Sequence, residues 1–167
     1  VPPSSGSSTL PIAQADRCGH AMPMPAPVTN RPAAQTATCC GVASVCGVQP
    51  CPGAGADSPS KAALIMMVRV LAQEWAADGI RVNAVSPGLF ATAMTAPIYA
   101  DADMKAAREA LVPIHRIGDP QRDCAGLVEF LLSADATYLT GQNIIVDGGL
   151  LGSIQSHIAG RPKSGGR

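Results

Sequence analysis

The chain has 167 residues, 47% apolar and 14% charged, and its twelve basic residues are balanced by twelve acidic ones. That is one domain's worth of chain, and zero formal charge argues against nucleic acid or an anionic membrane surface, which are met by a clustered excess of Lys and Arg. Seventeen Gly and fifteen Pro beside five aromatic rings point to an average over two unlike parts. Residues 1–56 hold nine of the fifteen Pro, five of the six Cys and only three charges, Asp16, Arg17 and Arg31, whereas residues 57–167 carry every ring.

Residues 1–40 are rich in Ala, Pro, Ser and Thr, with prolines that break helices and inner strands, and are expected to be disordered or unrelated to the rest. They lack the basic start and uninterrupted apolar block of a secretory signal, and no run reaches the roughly 18 apolar residues of a membrane helix. A cytoplasmic location without a membrane partner is the resulting expectation. Cys18, Cys39, Cys40, Cys46 and Cys51 cluster near His20, yet no Cys-x-x-Cys pair presents two thiolates to one metal ion. With Cys124 far away and no secretory signal, free thiols are expected rather than a metal site or a disulfide framework.

The folded unit is expected over residues 41–152, followed by a flexible tail at 153–167. Cys40–Ser44 gives a short strand. Ser58-Pro59 supplies a helix cap and a first-turn proline, and Leu64, Val68, Leu71 and Trp75 repeat at helical spacing up to Gly79. Residues 80–85 are β-rich and stop at Ser86-Pro87-Gly88, a strand end of the kind where open α/β sheets place ligands. A short helix is expected over 101–111, a second from Asp119-Pro120 to about Ser133, and a strand over Asn143–Val146 closed by Asp147-Gly148-Gly149. This alternation implies an α/β fold with parallel strands joined by crossovers.

Four segments in order carry a resemblance: Val42–Gly47, Ser60-Lys61-Ala-Ala-Leu64, Arg81-Val-Asn-Ala-Val-Ser-Pro-Gly88, and Leu139–Gly149, helped by Pro113–Pro120. Over residues 41–150 the chain resembles the carboxyl-terminal half of a short-chain dehydrogenase/reductase. The resemblance implies the last strands and helices of a Rossmann-type doubly wound parallel sheet. It also implies NAD or NADP as cofactor and hydride transfer between a small alcohol and its carbonyl. The family's long helix and its last helix with the following strand build subunit contacts, so a homo-oligomer is implied too.

The family's reaction uses a Ser that holds the substrate oxygen, and a Tyr that passes the proton. A Lys one helical turn after the Tyr lowers the phenol's pKa. Residue by residue, Ser44 and Lys61 occupy the Ser and Lys places, while Asp57 stands in the Tyr place. A carboxylate, with a reference pKa near 3.9, has no proton to give a ketone at neutral pH, and this one is placed to pair with Lys61 instead. On the cofactor side, Lys61 and the Pro87, Gly88 and Thr92 loop match positions that meet the nicotinamide end. The Thr-Gly-x-x-x-Gly-x-Gly turn that holds the pyrophosphate is absent from residues 1–40, and Pro52-Gly-Ala-Gly55 does not replace it.

Taken without the resemblance, Ser44 is a strand-end serine, Lys61 a solvated first-turn lysine and Asp57 an acidic residue near a helix start. Pro87-Gly88 is then a plain loop and Thr92 a cap; His115 and His157 have no partner at metal spacing. Two functional expectations stand side by side. One is a truncated or frame-disrupted oxidoreductase of weak or absent activity. The other is a noncatalytic module that associates through its helices. Both carry an open sheet edge beside the Ser44 strand, which favours wrong pairing and marginal stability.

Overall fold

The computed structural model describes residues 37–159. Strand β1 runs over Thr38–Val42, helix α1 over Asp57–Glu74 and strand β2 over Arg81–Pro87. Helices α2 (Ala96–Tyr99), α3 (Ala102–Leu111) and α4 (Gly126–Leu132) follow, and strand β3 covers Asn143–Val146. The three strands form one parallel sheet in the order β1-β2-β3, with Cys39 opposite Val82 and Val85 opposite Ile144. Parallel neighbours need crossovers; α1 supplies the first, and α2 to α4 the second.

The central strand fixes the layering. Val82 and Ala84 pack with Val68 and Ala72 of α1 in one buried cluster, backed by Leu71, Trp75 and Ile80. Arg81, one residue out of phase, instead reaches the Leu131 carbonyl of α4. Successive strand residues face opposite sides, so α1 and α4 cover opposite faces of the sheet. β1 obeys the same alternation. Gly41 lies against Val68 and Leu64 of α1, while the Thr38 hydroxyl donates to the Leu131 carbonyl of α4. β2 is buried over Arg81–Ser86 because both faces are covered, and its polar members Arg81, Asn83 and Ser86 each make side-chain hydrogen bonds.

Several expectations shift. β1 ends at Val42, so Ser44 lies just beyond the strand and caps a 3-10 turn at Val45–Gly47. Ser58 is not the cap of α1; Ala56 holds that place without a side-chain bond, and the Ser58 hydroxyl accepts from the Cys51 N–H at 3.2 Å. The physical reason is that Asp57 already adopts helical backbone, with its N–H bonded to the Ala54 carbonyl, so the helix starts one residue early. Gly79 ends not α1 itself but a 3-10 extension at Ala76–Asp78, in the left-handed conformation that glycine tolerates. α4 is entered through a π turn at Gln121–Ala125.

Past the expected end of the folded unit, Ser153–His157 forms a 3-10 turn and Ser153 is buried, its hydroxyl donating to the Leu150 carbonyl. The cluster members Cys18 and His20, the disorder expected over residues 1–36 and the last eight residues of the expected tail lie outside the described residues. Among the described residues, β1 has one strand neighbour, β2, and its outer edge carries no ladder.

Candidate active site

The carboxyl ends of β1 and β2 gather most of the residues singled out by sequence. Ser44 has extended backbone and accepts the Cys46 N–H on its hydroxyl at 3.1 Å, which fixes the side chain at the start of its 3-10 turn. Gly47, three residues on, sits against α1 at Lys61. A Cβ on Gly47 would fall 2.7 Å from the Lys61 carbonyl carbon and 2.9 Å from the Ala62 nitrogen. Only glycine permits this approach, so the turn carrying Ser44 and the first turns of α1 are held in direct contact. Lys61 is half-buried there.

Asp57, in the first turn of α1, is exposed. The expected ion pair with Lys61 does not form. Among the described residues the ion pairs are Lys105–Glu109 and Arg116–Asp123. A short carboxylate at an exposed helix start is well solvated, and a surface pairing would gain little over water.

Pro87 and Thr92 line one cavity of about 420 Å³ together with Val42, Phe90, Cys124 and Val128. It lies on the α4 side of the sheet and its walls are largely apolar. Thr92 is also tied into a local turn, as its sequence allowed: its N–H donates to the Thr95 hydroxyl at 2.8 Å, and that hydroxyl donates to the Phe90 carbonyl at 2.8 Å. Gly88 has a structural reason of its own. A Cβ there would lie 2.7 Å from the Asp147 Cβ and 2.9 Å from its Cα, and the Gly88 N–H donates to the Val146 carbonyl. The glycine thus lets the ends of β2 and β3 close on one another.

The residues present fit part of a nicotinamide dinucleotide. A flat apolar ring suits the wall built from Val42, Pro87 and Phe90. The phosphates do not find a seat: the charged side chain in the cavity wall is Glu129, and among the described residues no Gly-rich turn presents amides to an anion.

Two buried anchors, Arg81 and Asn83, lie in the Arg81–Gly88 segment of the resemblance but were given no role from the sequence. Arg81, 8% exposed, donates through Nη1 to the Leu131 and Leu139 carbonyls at 2.9 and 3.3 Å, and through Nη2 to the Ser133 carbonyl at 2.8 Å. Asn83, fully buried, donates to the Leu139 carbonyl and accepts from the Gln142 N–H. The available signal was a charged and an amide residue inside a short β-rich run. The thiols also differ from expectation. Cys46 and Cys51 are joined in a disulfide, because the Val45–Gly47 turn and the Ser58 contact bring their Cα atoms to 5.3 Å. Cys39, Cys40 and Cys124 are free. Burial, and the neighbouring Cys124, push the Cys40 thiol above its ordinary pKa, and burial does the same to Cys124.

The turn into α4 is held by charge. Arg116 and Asp123 form a bidentate pair, and Asp123 also accepts the Asp119 N–H at 2.8 Å. The Arg116 guanidinium, then that backbone donor, hold the Asp123 carboxyl far below the usual carboxylate range. A depressed folded-state pKa stabilises the fold above the unfolded value near 3.9 and loses that contribution as pH falls. Asp123→Asn is therefore expected to lower Tm at pH 7 and to bring it closer to wild type as the buffer is taken below about pH 4. A constant gap in Tm down to acid pH would contradict the assignment.

Comparisons with known proteins place this arrangement. Residues 24–151 match the family model described as enoyl-(acyl carrier protein) reductase. The chain belongs to the short-chain dehydrogenase/reductase family. It is 39% identical over 108 residues to human dehydrogenase/reductase SDR family member 4, covering 65% of this chain and 38% of that protein. Among solved structures it resembles 4-hydroxyisoleucine dehydrogenase complexed with NADH, at TM-score 0.66 and 32% identity over 68% of this chain and 47% of the other. A gluconate 5-dehydrogenase from Burkholderia cenocepacia, in complex with NADP and tartrate, superposes at TM-score 0.67 and 27% identity over 71% of this chain and 46% of its own. The chain spans about two fifths of the length of the curated relatives it matches. The sheet with its flanking helices is accordingly part of a short-chain dehydrogenase/reductase Rossmann fold.

Proposed function

We propose that this chain is an oxidoreductase-type segment whose own hydride transfer, between NAD or NADP and a small alcohol or carbonyl, is weak or absent. The observation that carries the reading is Asp57, exposed in the first turn of α1 at the family's Tyr place. On this reading Ser44 would hold a substrate oxygen, supported by Lys61 lying against Gly47 of the turn that Ser44 begins. What is lacking is a neutral donor that can protonate a developing alkoxide; proton transfer by a positioned group contributes roughly 10²–10⁴-fold in rate. Among the described residues Pro87, Gly88 and Thr92 stand without an anchor for the phosphates, so the cofactor is expected to bind weakly. A cytoplasmic location belongs to the same proposal; among the described residues no helix is long and apolar enough to cross a membrane.

The test is oxidation of NADH or NADPH by the 167-residue chain with a panel of aldehydes and ketones. No turnover above the uncatalysed background is expected, and Asp57→Tyr alone is not expected to restore it. Robust turnover by the unmodified chain would overturn the reading.

A second reading rests on α1. Met66, Met67 and Val70 are each about half exposed on this helix, an apolar stripe with no cover within the described residues. The chain is then a noncatalytic module that pairs with itself or with a complete relative through that stripe. Light scattering of the purified chain decides it: a concentration-dependent dimer supports pairing with itself. A monodisperse monomer that also fails to co-purify with a relative removes the reading.

A further inference from the structure

We propose that Cys46 and Cys51 form a thiol–disulfide exchange site, whose partner is a small thiol or dithiol, and that its state sets how firmly Ser44 and the start of α1 are held. The two cysteines sit in the segment that joins Ser44 to Lys61, and the disulfide closes a loop of only five positions. Each carries a backbone bond to a functional neighbour. The Cys46 N–H donates to the Ser44 hydroxyl, and the Cys51 N–H donates to the Ser58 hydroxyl in the first turn of α1. The bridge therefore ties together the two N–H groups that orient the serine and anchor the loop to the helix. Between them, Gly47 bears directly on Lys61.

The site can be reached. Cys46 and Cys51 are half-buried, and the Val48, Gln49, Pro50, Pro52 and Gly53 positions around them are exposed. Two of the free thiols are poorer participants, since burial pushes both Cys40 and Cys124 away from the reactive thiolate form, and exposed Cys39 lies at the far end of β1 from Ser44. The exchange is balanced without any further oxidant or metal. A thiolate of the small thiol attacks one sulfur, the Cys46–Cys51 bond breaks, and the departing cysteine thiolate takes up a proton. A second small thiol then displaces the first as its own disulfide, so two protein thiols are produced and two small thiols are oxidised. The reverse sequence, with oxidised glutathione as the electron acceptor, remakes the bridge.

This does not rest on the hydride-transfer reading, because both of its readouts are independent of turnover. The full chain is equilibrated with reduced or oxidised glutathione, quenched in acid, alkylated and mapped by peptide mass. In the oxidised buffer Cys46 and Cys51 are expected to be protected together as one internal cystine, with Cys39, Cys40 and Cys124 alkylated. In the reduced buffer, hydrogen exchange at the Cys46, Cys51 and Ser60 amides is expected to quicken about tenfold, since cross-linking restricts local opening. Cys46→Ser is expected to show the faster exchange in both buffers. Should that variant fail to fold, the wild-type comparison between the buffers stands by itself. The proposal is overturned if Cys46 and Cys51 stay alkylatable at every glutathione ratio, if they carry glutathione without cross-linking, or if the cross-link forms and exchange at those amides does not change.

Discussion

Arg81→Met is expected to destabilise the fold strongly, more than any other single change considered. The guanidinium is buried under α4 and serves the carbonyls of Leu131, Ser133 and Leu139 at once, two of them at the carboxyl end of that helix where backbone acceptors have no intrahelical partner. Methionine keeps most of the volume but no donor. The Leu131 and Leu139 carbonyls keep donors in Thr38 and Asn83 but each loses a charge-assisted bond, and the Ser133 carbonyl loses the side-chain donor it has, at about 1–3 kcal/mol apiece. The summed loss, about 3–5 kcal/mol, is a large share of the 5–15 kcal/mol that holds an ordinary domain together. Denaturant titration followed by circular dichroism checks it: a lost or strongly lowered midpoint is expected, and an unchanged one would refute the role given to Arg81. Arg81→Lys should fall between, because one ammonium cannot span three acceptors with the reach of a planar fork.

Leu131→Ala has the second largest expected effect. Leu131 has no exposed surface and is the largest of the fully buried side chains, and its residue is where α4 meets β1 and β2. Removing its branched end leaves a cavity under a short helix of seven residues, at a cost of about 2–5 kcal/mol. The two variants are not independent. The Leu131 carbonyl accepts from both Arg81 and Thr38, so a helix that shifts to fill the cavity also moves that acceptor. The double variant is expected to lose less than the sum of the two single losses, read from the same denaturant midpoints. Strict additivity would show that the side chain and the hydrogen-bonded carbonyl act separately.

The expected effects at Arg81 and Leu131 concern the sheet's α4 face, and this is the part of the molecule the sequence described least well. Local patterns were legible where they are determined locally. The apolar repeat from Leu64 to Trp75 gives α1, and Asn143–Val146 is a strand at the residues expected. The order of helix and strand segments was enough for a parallel α/β fold. Ser44, Asp57, Lys61, Pro87, Gly88 and Thr92 were singled out through the resemblance, because a family's motif is a property of the sequence.

What those residues do to one another was decided only by the tertiary structure. Asp57 and Lys61 are one helical turn apart, a spacing that suggested an ion pair, yet solvation of an exposed helix start prevails over a weak surface attraction. Gly88, assigned to ligand approach, is needed because Asp147 closes on it from the end of β3, a neighbour about sixty positions away. Cys46 and Cys51 gave no metal or disulfide pattern in the sequence, and they meet because a 3-10 turn and the Ser58 hydroxyl fold the intervening loop back on α1. Arg81 was one letter of a motif with no role assigned to it until α4 and the chain that follows brought three carbonyls to it. Backbone periodicity is written in neighbouring residues and can be read there. Close approach, burial and hydrogen-bond partnership depend on segments distant in the chain, and these exist only once the sheet has brought them together.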